Sequence, residues 1–158
     1  MAPRLTKNQR RITTILRRIP AAREQLLAAM EEFSPEFALD RLVAAAESPD
    51  ARERNKVAVI ERELDVLVNW LEELAARGLD EGIRIGTVPS APGLPWPRLA
   101  DLRVISAAAA ARLREIKDTR NDLGHAYPPQ SWRAVHDAAN MTLRELDGYL
   151  SRYGDWAT

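Results

Sequence analysis

The stretch that decides the fold covers residues 57–74 and reads VAVIERELDVLVNWLEEL. Its apolar residues recur every three or four positions, the repeat that places side chains on one face of an α-helix. The members of this stripe are Val57, Ile60, Leu64, Leu67, Leu71 and Leu74. We therefore predict one long helix, opened by Ser48-Pro49-Asp50 and ending near Gly78, with a continuous apolar seam.

Helical periodicity continues towards the N-terminus. One apolar stripe runs over residues 5–19 and a second over residues 22–33. Pro20 is predicted to separate them, because proline removes a helical hydrogen bond. A serine followed by proline, Ser34-Pro35, predicts the start of the next helix.

The C-terminal half repeats the same pattern around one irregular segment. An alanine-rich stripe runs over residues 99–116, and a last helix is predicted to begin near Ser131. Residues 78–98 are rich in glycine and proline and predict a long connection, which Trp96 should anchor to the core. We expect an all-α fold, an up-and-down helical bundle with one long Gly/Pro-rich connection, forming a single domain over residues 1–158.

Composition excludes several kinds of chemistry. The chain has no cysteine, so disulfides, thiolate metal sites and a cysteine nucleophile are ruled out. The sequence has no histidine–carboxylate spacing typical of a metal site and no glycine-rich phosphate loop typical of a cofactor site, so we expect neither. Since no apolar run approaches membrane-spanning length and the N-terminus lacks the apolar core of a signal peptide, we expect a cytoplasmic protein.

The net charge of zero conceals an uneven distribution. Residues 1–20 contain six basic and no acidic side chains, whereas residues 21–82 contain seven basic and fifteen acidic ones. The basic block could contact a polyanion or pair with the acidic middle of the same chain. Intramolecular pairing is the expected outcome.

Residues 120–127, RNDLGHAY, hold the reactive side chains of the chain. These are Arg120, Asn121, His125 and Tyr127. A guanidinium close to an imidazole that titrates near neutral pH suits the binding and cleavage of a phosphate ester. Gly124 and the following Pro128-Pro129 predict that a helix ends here, with Arg120 on its last turn and the histidine and tyrosine in the connection.

The order of arginine, asparagine, histidine and tyrosine in this segment resembles the motif of the HEPN superfamily of helical-bundle ribonucleases, and in particular its HepT toxin branch. The resemblance extends over residues 94–153, where residues 102–106 open a helix upstream of the motif. It implies a metal-independent endoribonuclease toxin of a toxin–antitoxin system that cleaves RNA by attack of the ribose 2′-hydroxyl.

The resemblance also implies roles for the motif residues. His125 would act as general acid or base, Arg120 would neutralise charge on the phosphorane, and Asn121 would orient the phosphate or the imidazole. A homodimer would bring two motifs into one cleft. The seam of residues 57–74 and the alanine-rich helix are the candidate dimer surfaces.

Tyr127 would have a regulatory role, since HepT-like toxins are paired with a minimal nucleotidyltransferase antitoxin, MntA, that transfers AMP to this tyrosine. Two alternatives remain open: a catalytically silent helical subunit that partners the nucleotidyltransferase, and a structural bundle without chemistry. Taken singly, Arg120 could cap a helix and the other motif side chains could be structural. His136 has no comparable neighbours in the sequence and is expected to be structural.

Overall fold

A computed structural model describes the backbone of residues 3–122 and 130–157 and the side chains of residues 3–118 and 132–157. The regular structure in these ranges is helical and divides into α1 (Lys7–Glu31), α2 (Leu39–Glu47), α3 (Ala51–Arg84), α4 (Pro95–Asp101), α5 (Ala107–Asp122) and α6 (Gln130–Ala157). The prediction of an all-α helical bundle is confirmed. None of the helices in the described ranges combines the length and apolar character needed to cross a membrane.

Helix α3 is the centre of the bundle. The six residues of its apolar stripe are each 3% exposed or less, and α3 contacts every other helix of the described chain. The seam that was a candidate dimer surface is therefore buried inside the protein, and that expectation is wrong. The cause is that five neighbouring helices cover α3 from within the same chain.

Both ends of α3 differ from the prediction. The helix is capped by Asp50, whose carboxylate accepts a hydrogen bond from the Arg52 amide at 2.9 Å, two residues after the predicted Ser48. At its other end the helix continues past Gly78 to Arg84, because Gly78 is buried in contact with α6 and does not serve as a cap. The irregular connection is thus residues 85–94, shorter than the predicted 78–98. Trp96, at 3% exposure, is anchored in the core as expected.

Helix α1 runs through Pro20, so the prediction that this proline separates two helices is wrong. A capping box begins the helix, with the Thr6 hydroxyl accepting from the Gln9 amide and the Gln9 side chain accepting from the Thr6 amide. Pro20 itself lies on the exposed side. Buried residues on both sides of it, such as Ile19 and Ala22, continue one packed face, which outweighs the lost hydrogen bond.

Two further predicted helix bounds are wrong. Residues 34–38 precede α2, which begins at Leu39 because the backbone of Ala38 is extended, with φ −109° and ψ 151°. The predicted helix over residues 99–116 is divided into α4 and α5. Its break contains Arg103 at a φ of 59°, and the Ser106 hydroxyl caps α5 by accepting from the Ala109 amide at 3.0 Å. The last helix begins within one residue of the predicted Ser131.

Candidate functional site

The predicted motif lies at the junction of α5 and α6, which form an antiparallel hairpin. Arg112 on α5 pairs with Glu145 on α6, with Nε and Oε1 2.6 Å apart. Nearer to the connection, Ile116 lies beside Ala138, where only a gap of about 10 Å³ remains between the helices. As residue numbers rise along α5 they fall along α6, so Asp122 of α5 and Gln130 of α6 are at the same end of the helix pair.

The last described turns of α5 are also attached to α3. Lys117 donates a hydrogen bond from Nζ to Oε1 of Glu72 at 2.7 Å, and both side chains are largely buried, at 20% and 28% exposure. An exposed pair on the same helix, Arg114 and Asp118, lies at 3.2 Å. Helix α5 is therefore held by the core up to one turn before the motif begins.

The structure places part of the predicted motif. Arg120 and Asn121 belong to the last turn of α5, which ends at Asp122, so the predicted helical position of Arg120 is confirmed. The side chains of these two residues lie outside the described ones. His125 and Tyr127 also lie outside the described residues, as do Gly124 and the two prolines. The convergence of the four side chains stays a prediction.

His136, one and a half turns into α6, is held by its neighbours. Its Nε2 lies 3.2 Å from the carbonyl oxygen of Phe37, and its Nδ1 lies 3.0 Å from Oδ1 of Asp137. The ring stacks on that of Phe37 at a centroid distance of 4.9 Å. These contacts tie α6 to the segment before α2 and agree with the structural role predicted for this histidine.

The basic N-terminal block was expected to pair with the acidic middle of the chain, but most of its residues do not. Arg11 alone does so, with Nε 2.7 Å from Oε1 and Nη2 3.0 Å from Oε2 of Glu73. This hydrogen bond raises the pKa of Arg11 and lowers that of Glu73. The remaining five basic residues are exposed and form no ion pair with any described side chain. These are Arg4, Lys7, Arg10, Arg17 and Arg18. The expectation of intramolecular pairing is therefore wrong for most of the block.

A cleft of about 560 Å³ lies between α1, α3 and the C-terminal end of α6. The periodicity of apolar residues in the sequence did not predict it. Tyr153 forms part of its wall, 1% exposed, and its hydroxyl has no partner among the described residues. Burial raises the pKa of Tyr153 to about 12. The carboxylate in the wall, Glu81, accepts from Arg84 at 3.0 Å and from Asn8 at 3.3 Å, which leaves it committed to structural bonds.

Within the described ranges, no group of three or more histidine, aspartate or glutamate side chains is arranged to hold a metal ion. No family model matches the chain, and neither a curated protein nor a solved structure shows a significant match to it. The functional conclusion therefore depends on the motif and on the helices that carry it.

Proposed function

We propose that the protein is a HEPN-type, metal-independent endoribonuclease toxin of a toxin–antitoxin system. The observation that carries the proposal is the order Arg120-Asn121, His125, Tyr127 in an all-helical chain, beginning on the last turn of α5. The antiparallel packing of α5 and α6 supports it, since a helical hairpin brings the residues at its junction close together. The chain has no cysteine nucleophile that could offer another route.

The proposed reaction uses one proton acceptor and one proton donor. The imidazole of His125 removes the proton of a ribose 2′-hydroxyl, whose oxygen attacks the adjacent phosphorus. The bond from phosphorus to the 5′-oxygen breaks, and that oxygen takes a proton from a second imidazole. The products are a 2′,3′-cyclic phosphate and a 5′-hydroxyl. Arg120 offsets the negative charge that builds on the phosphorane oxygens, and Asn121 orients the phosphate.

Because one imidazole does not serve as both base and acid in a single turnover, the proposal includes a homodimer in which each copy supplies one histidine. The α3 seam is buried, so the alanine-rich helix remains as the candidate surface. Ala107, Ala108 and Ala111 are exposed on α5, on the helix that ends in the motif. Small side chains there would allow two copies to approach closely.

Cleavage of RNA in EDTA tests the proposal. The purified protein is expected to cleave, and His125→Ala is expected to lower the rate by about 10² to 10⁴-fold. His136→Gln is the matched control, because it replaces the other histidine and keeps a side chain that can hydrogen bond to Phe37. Cleavage that survives in His125→Ala, or that requires a divalent metal, contradicts the proposal.

The dimer has its own test. Ala111→Arg is expected to weaken self-association in sedimentation and to lower cleavage in parallel. Ala58→Arg, an equally exposed alanine-to-arginine change on α3, should alter neither. Equal behaviour of the two variants would exclude the exposed face of α5 as the dimer surface.

Control by an MntA-like nucleotidyltransferase antitoxin completes the proposal. AMP transferred to Tyr127 would place a phosphate beside Arg120 and His125 and so repel RNA. Co-expression with such an enzyme should give an adduct in the intact mass that is lost in Tyr127→Phe. A stable complex and an adduct without any ribonuclease activity would favour the alternative, a catalytically silent partner subunit.

A further inference from the structure

We propose that the exposed outer face of α1 binds the sugar–phosphate backbone of a nucleic acid, with no preference for sequence. The surface, called the α1 basic stripe below, consists of Lys7, Arg10, Arg17 and Arg18 on α1 and of Arg4 just before the helix. All five side chains are exposed. The proposal concerns binding alone and does not rest on the ribonuclease function.

Helical geometry collects these charges on one side. At about 100° per residue, Lys7, Arg10, Arg17 and Arg18 fall within a sector of roughly 100°, and the rise from Lys7 to Arg18 is about 17 Å. The buried Ile15 and Ile19 lie about 60° and 100° beyond the Arg18 edge of this sector, on the face of α1 that packs against α3. The cations therefore form an exposed stripe beside the packed face, with Arg18 at its near edge.

The charge of this stripe is not compensated within the described chain. Arg11, on the flank of the helix, is bound on two atoms by Glu73, which shows that α3 can supply partners where it reaches. Arg10 donates a 3.1 Å hydrogen bond to the Leu5 carbonyl oxygen, which does not neutralise its charge. No acidic residue occurs before Glu24. A protein of zero net charge thus presents a locally strong positive field.

The side chains on the stripe favour phosphodiesters over other anionic partners. Four of the five are arginines, whose planar guanidinium groups bind phosphate on two atoms. The exposed Thr13 and Thr14 donate their hydroxyl hydrogens to the carbonyl oxygens of Gln9 and Arg10, so the guanidinium and ammonium groups are the donors that the stripe offers to phosphate. Most hydrogen bonds between proteins and nucleic acids go to the phosphate and sugar, from arginine, lysine and hydroxyl side chains. Helix α1 contains no aromatic residue that could stack on a base, so the proposed contact is with the phosphates, which carry no sequence information.

A membrane surface fits the same helix less well. Interfacial helices bury an apolar face among lipid chains. The apolar face of α1 is already packed on α3, and Leu16 is the single large apolar residue exposed within the helix. The stripe could attract anionic lipid heads but would have little to insert between them.

Fluorescence anisotropy with a labelled single-stranded DNA of about 20 nucleotides tests the proposal. DNA lacks the 2′-hydroxyl that the proposed ribonuclease reaction needs, so binding is measured without cleavage. Affinity should fall steeply between about 50 and 200 mM salt, with a slope of about −0.7 for each phosphate contacted. Replacing Arg10, Arg17 and Arg18 with glutamine together should weaken binding at least ~10-fold and reduce that slope by about 2.

The matched control removes the same charge elsewhere. Arg52, Arg62 and Arg144 are exposed on α3 and α6, and their replacement by glutamine should leave affinity and slope close to those of the wild type. Equal losses in the two triple variants would overturn the proposal, since net charge alone would then explain binding. Thermal melts confirm that both variants are folded.

Two further outcomes have defined meanings. Tighter binding to phosphatidylserine-containing vesicles than to DNA at the same salt concentration, lost in the stripe variant alone, would overturn the proposal in favour of a membrane. DNA binding that is retained in a protein unable to cleave RNA would support the stripe while contradicting the ribonuclease. RNA cleavage by a protein that does not bind DNA would support the ribonuclease and contradict the stripe.

Discussion

Gly78 on α3 and Tyr153 on α6 occupy one site in the core, because the phenol ring fills the space that a side chain at position 78 would need. The Cε2 atom of the ring lies 2.8 Å from the position of a Cβ on Gly78. Tyr153 is 1% exposed, its ring is stacked with that of Tyr149 and it meets Trp156 edge-on, which limits where it could move. A glycine inside a helix, usually unfavourable, thus sets the distance between α3 and α6.

Gly78→Ala is expected to lower the free energy of unfolding by about 1–3 kcal/mol, because the added methyl group would overlap the ring of Tyr153. Gly148→Ala is the matched control. A Cβ there meets no atom within 4 Å, and alanine favours the helix over glycine by up to about 1 kcal/mol. Denaturant unfolding should therefore show changes of opposite sign, and a stabilised Gly78→Ala would disprove the close contact.

Tyr153→Phe is expected to leave stability unchanged or to raise it, although it alters a fully buried side chain. The hydroxyl has no partner among the described residues, and a buried polar group without one costs about 1–3 kcal/mol. The neighbouring Tyr149 donates to the Leu71 carbonyl oxygen at 3.4 Å, so Tyr149→Phe should destabilise by about 1 kcal/mol. Thermal melts of the two variants give the comparison, and equal losses would show that the Tyr153 hydroxyl is bound.

The same tyrosines predict loss of stability in alkali. Burial raises the pKa of Tyr153 from 10.0 to about 12, and burial also raises the pKa of Tyr149. A group with a raised pKa contributes stability that is complete below its unfolded pKa and is lost as the pH rises through the folded one. Unfolding measured from pH 9 upwards should show a steep decline above about pH 10. The decline should be shallower in Tyr153→Phe, and an identical slope would contradict the burial of this phenol.

Two carboxylates on α3 should respond to acid in opposite ways. The hydrogen bond from Arg11 lowers the pKa of Glu73 below its ordinary 4.5, so its contribution is complete above that value and lost as the pH falls through the folded pKa. Burial raises the pKa of Glu61, which makes its charge unfavourable at neutral pH. Glu61→Gln should therefore be more stable than the wild type at pH 7 and equal to it in acid. Glu73→Gln should be less stable at pH 7 and lose less on acidification.

Pro20→Ala should stabilise the protein by about 1–3 kcal/mol. The alanine amide can donate to the Leu16 carbonyl, a bond that proline cannot make, and position 20 is exposed, so no packing is lost. Circular dichroism melts give the measurement. An unchanged or lower melting temperature would indicate that the helix is already bent to accommodate the proline.

The sequence predicted the helical class and the core of the fold because apolar periodicity reports burial directly. All six residues of the α3 stripe are buried, and the start of α6 was placed within one residue. Helix bounds were less predictable. Pro20 is a local signal that the packing of Ile19 and Ala22 on α3 overrides, and Gly78 resembles a helix end although it serves a close contact with Tyr153.

The candidate site was predictable in a different sense. The identities of Arg120, Asn121, His125 and Tyr127 are read from the sequence, and the position of Arg120 on the last turn of α5 followed from the glycine and prolines beyond it. Charge counts did not predict which residues of the basic N-terminal block form ion pairs. Whether a cation meets a carboxylate depends on which face of α1 it occupies, and Arg11 is on the face that reaches Glu73.

Helix α3 contacts every other helix of the described chain. It is about 51 Å long, at 1.5 Å per residue over its 34 residues, so all five neighbouring helices pack on one extended element. No neighbouring helix can loosen without exposing part of the same seam. Local fluctuations should therefore be confined to the outer faces, and the amides that exchange most slowly with solvent should cluster in the middle of α3. A fragment that excludes this helix would keep the direct packing of α5 on α6 but would lose the surface on which α1 packs.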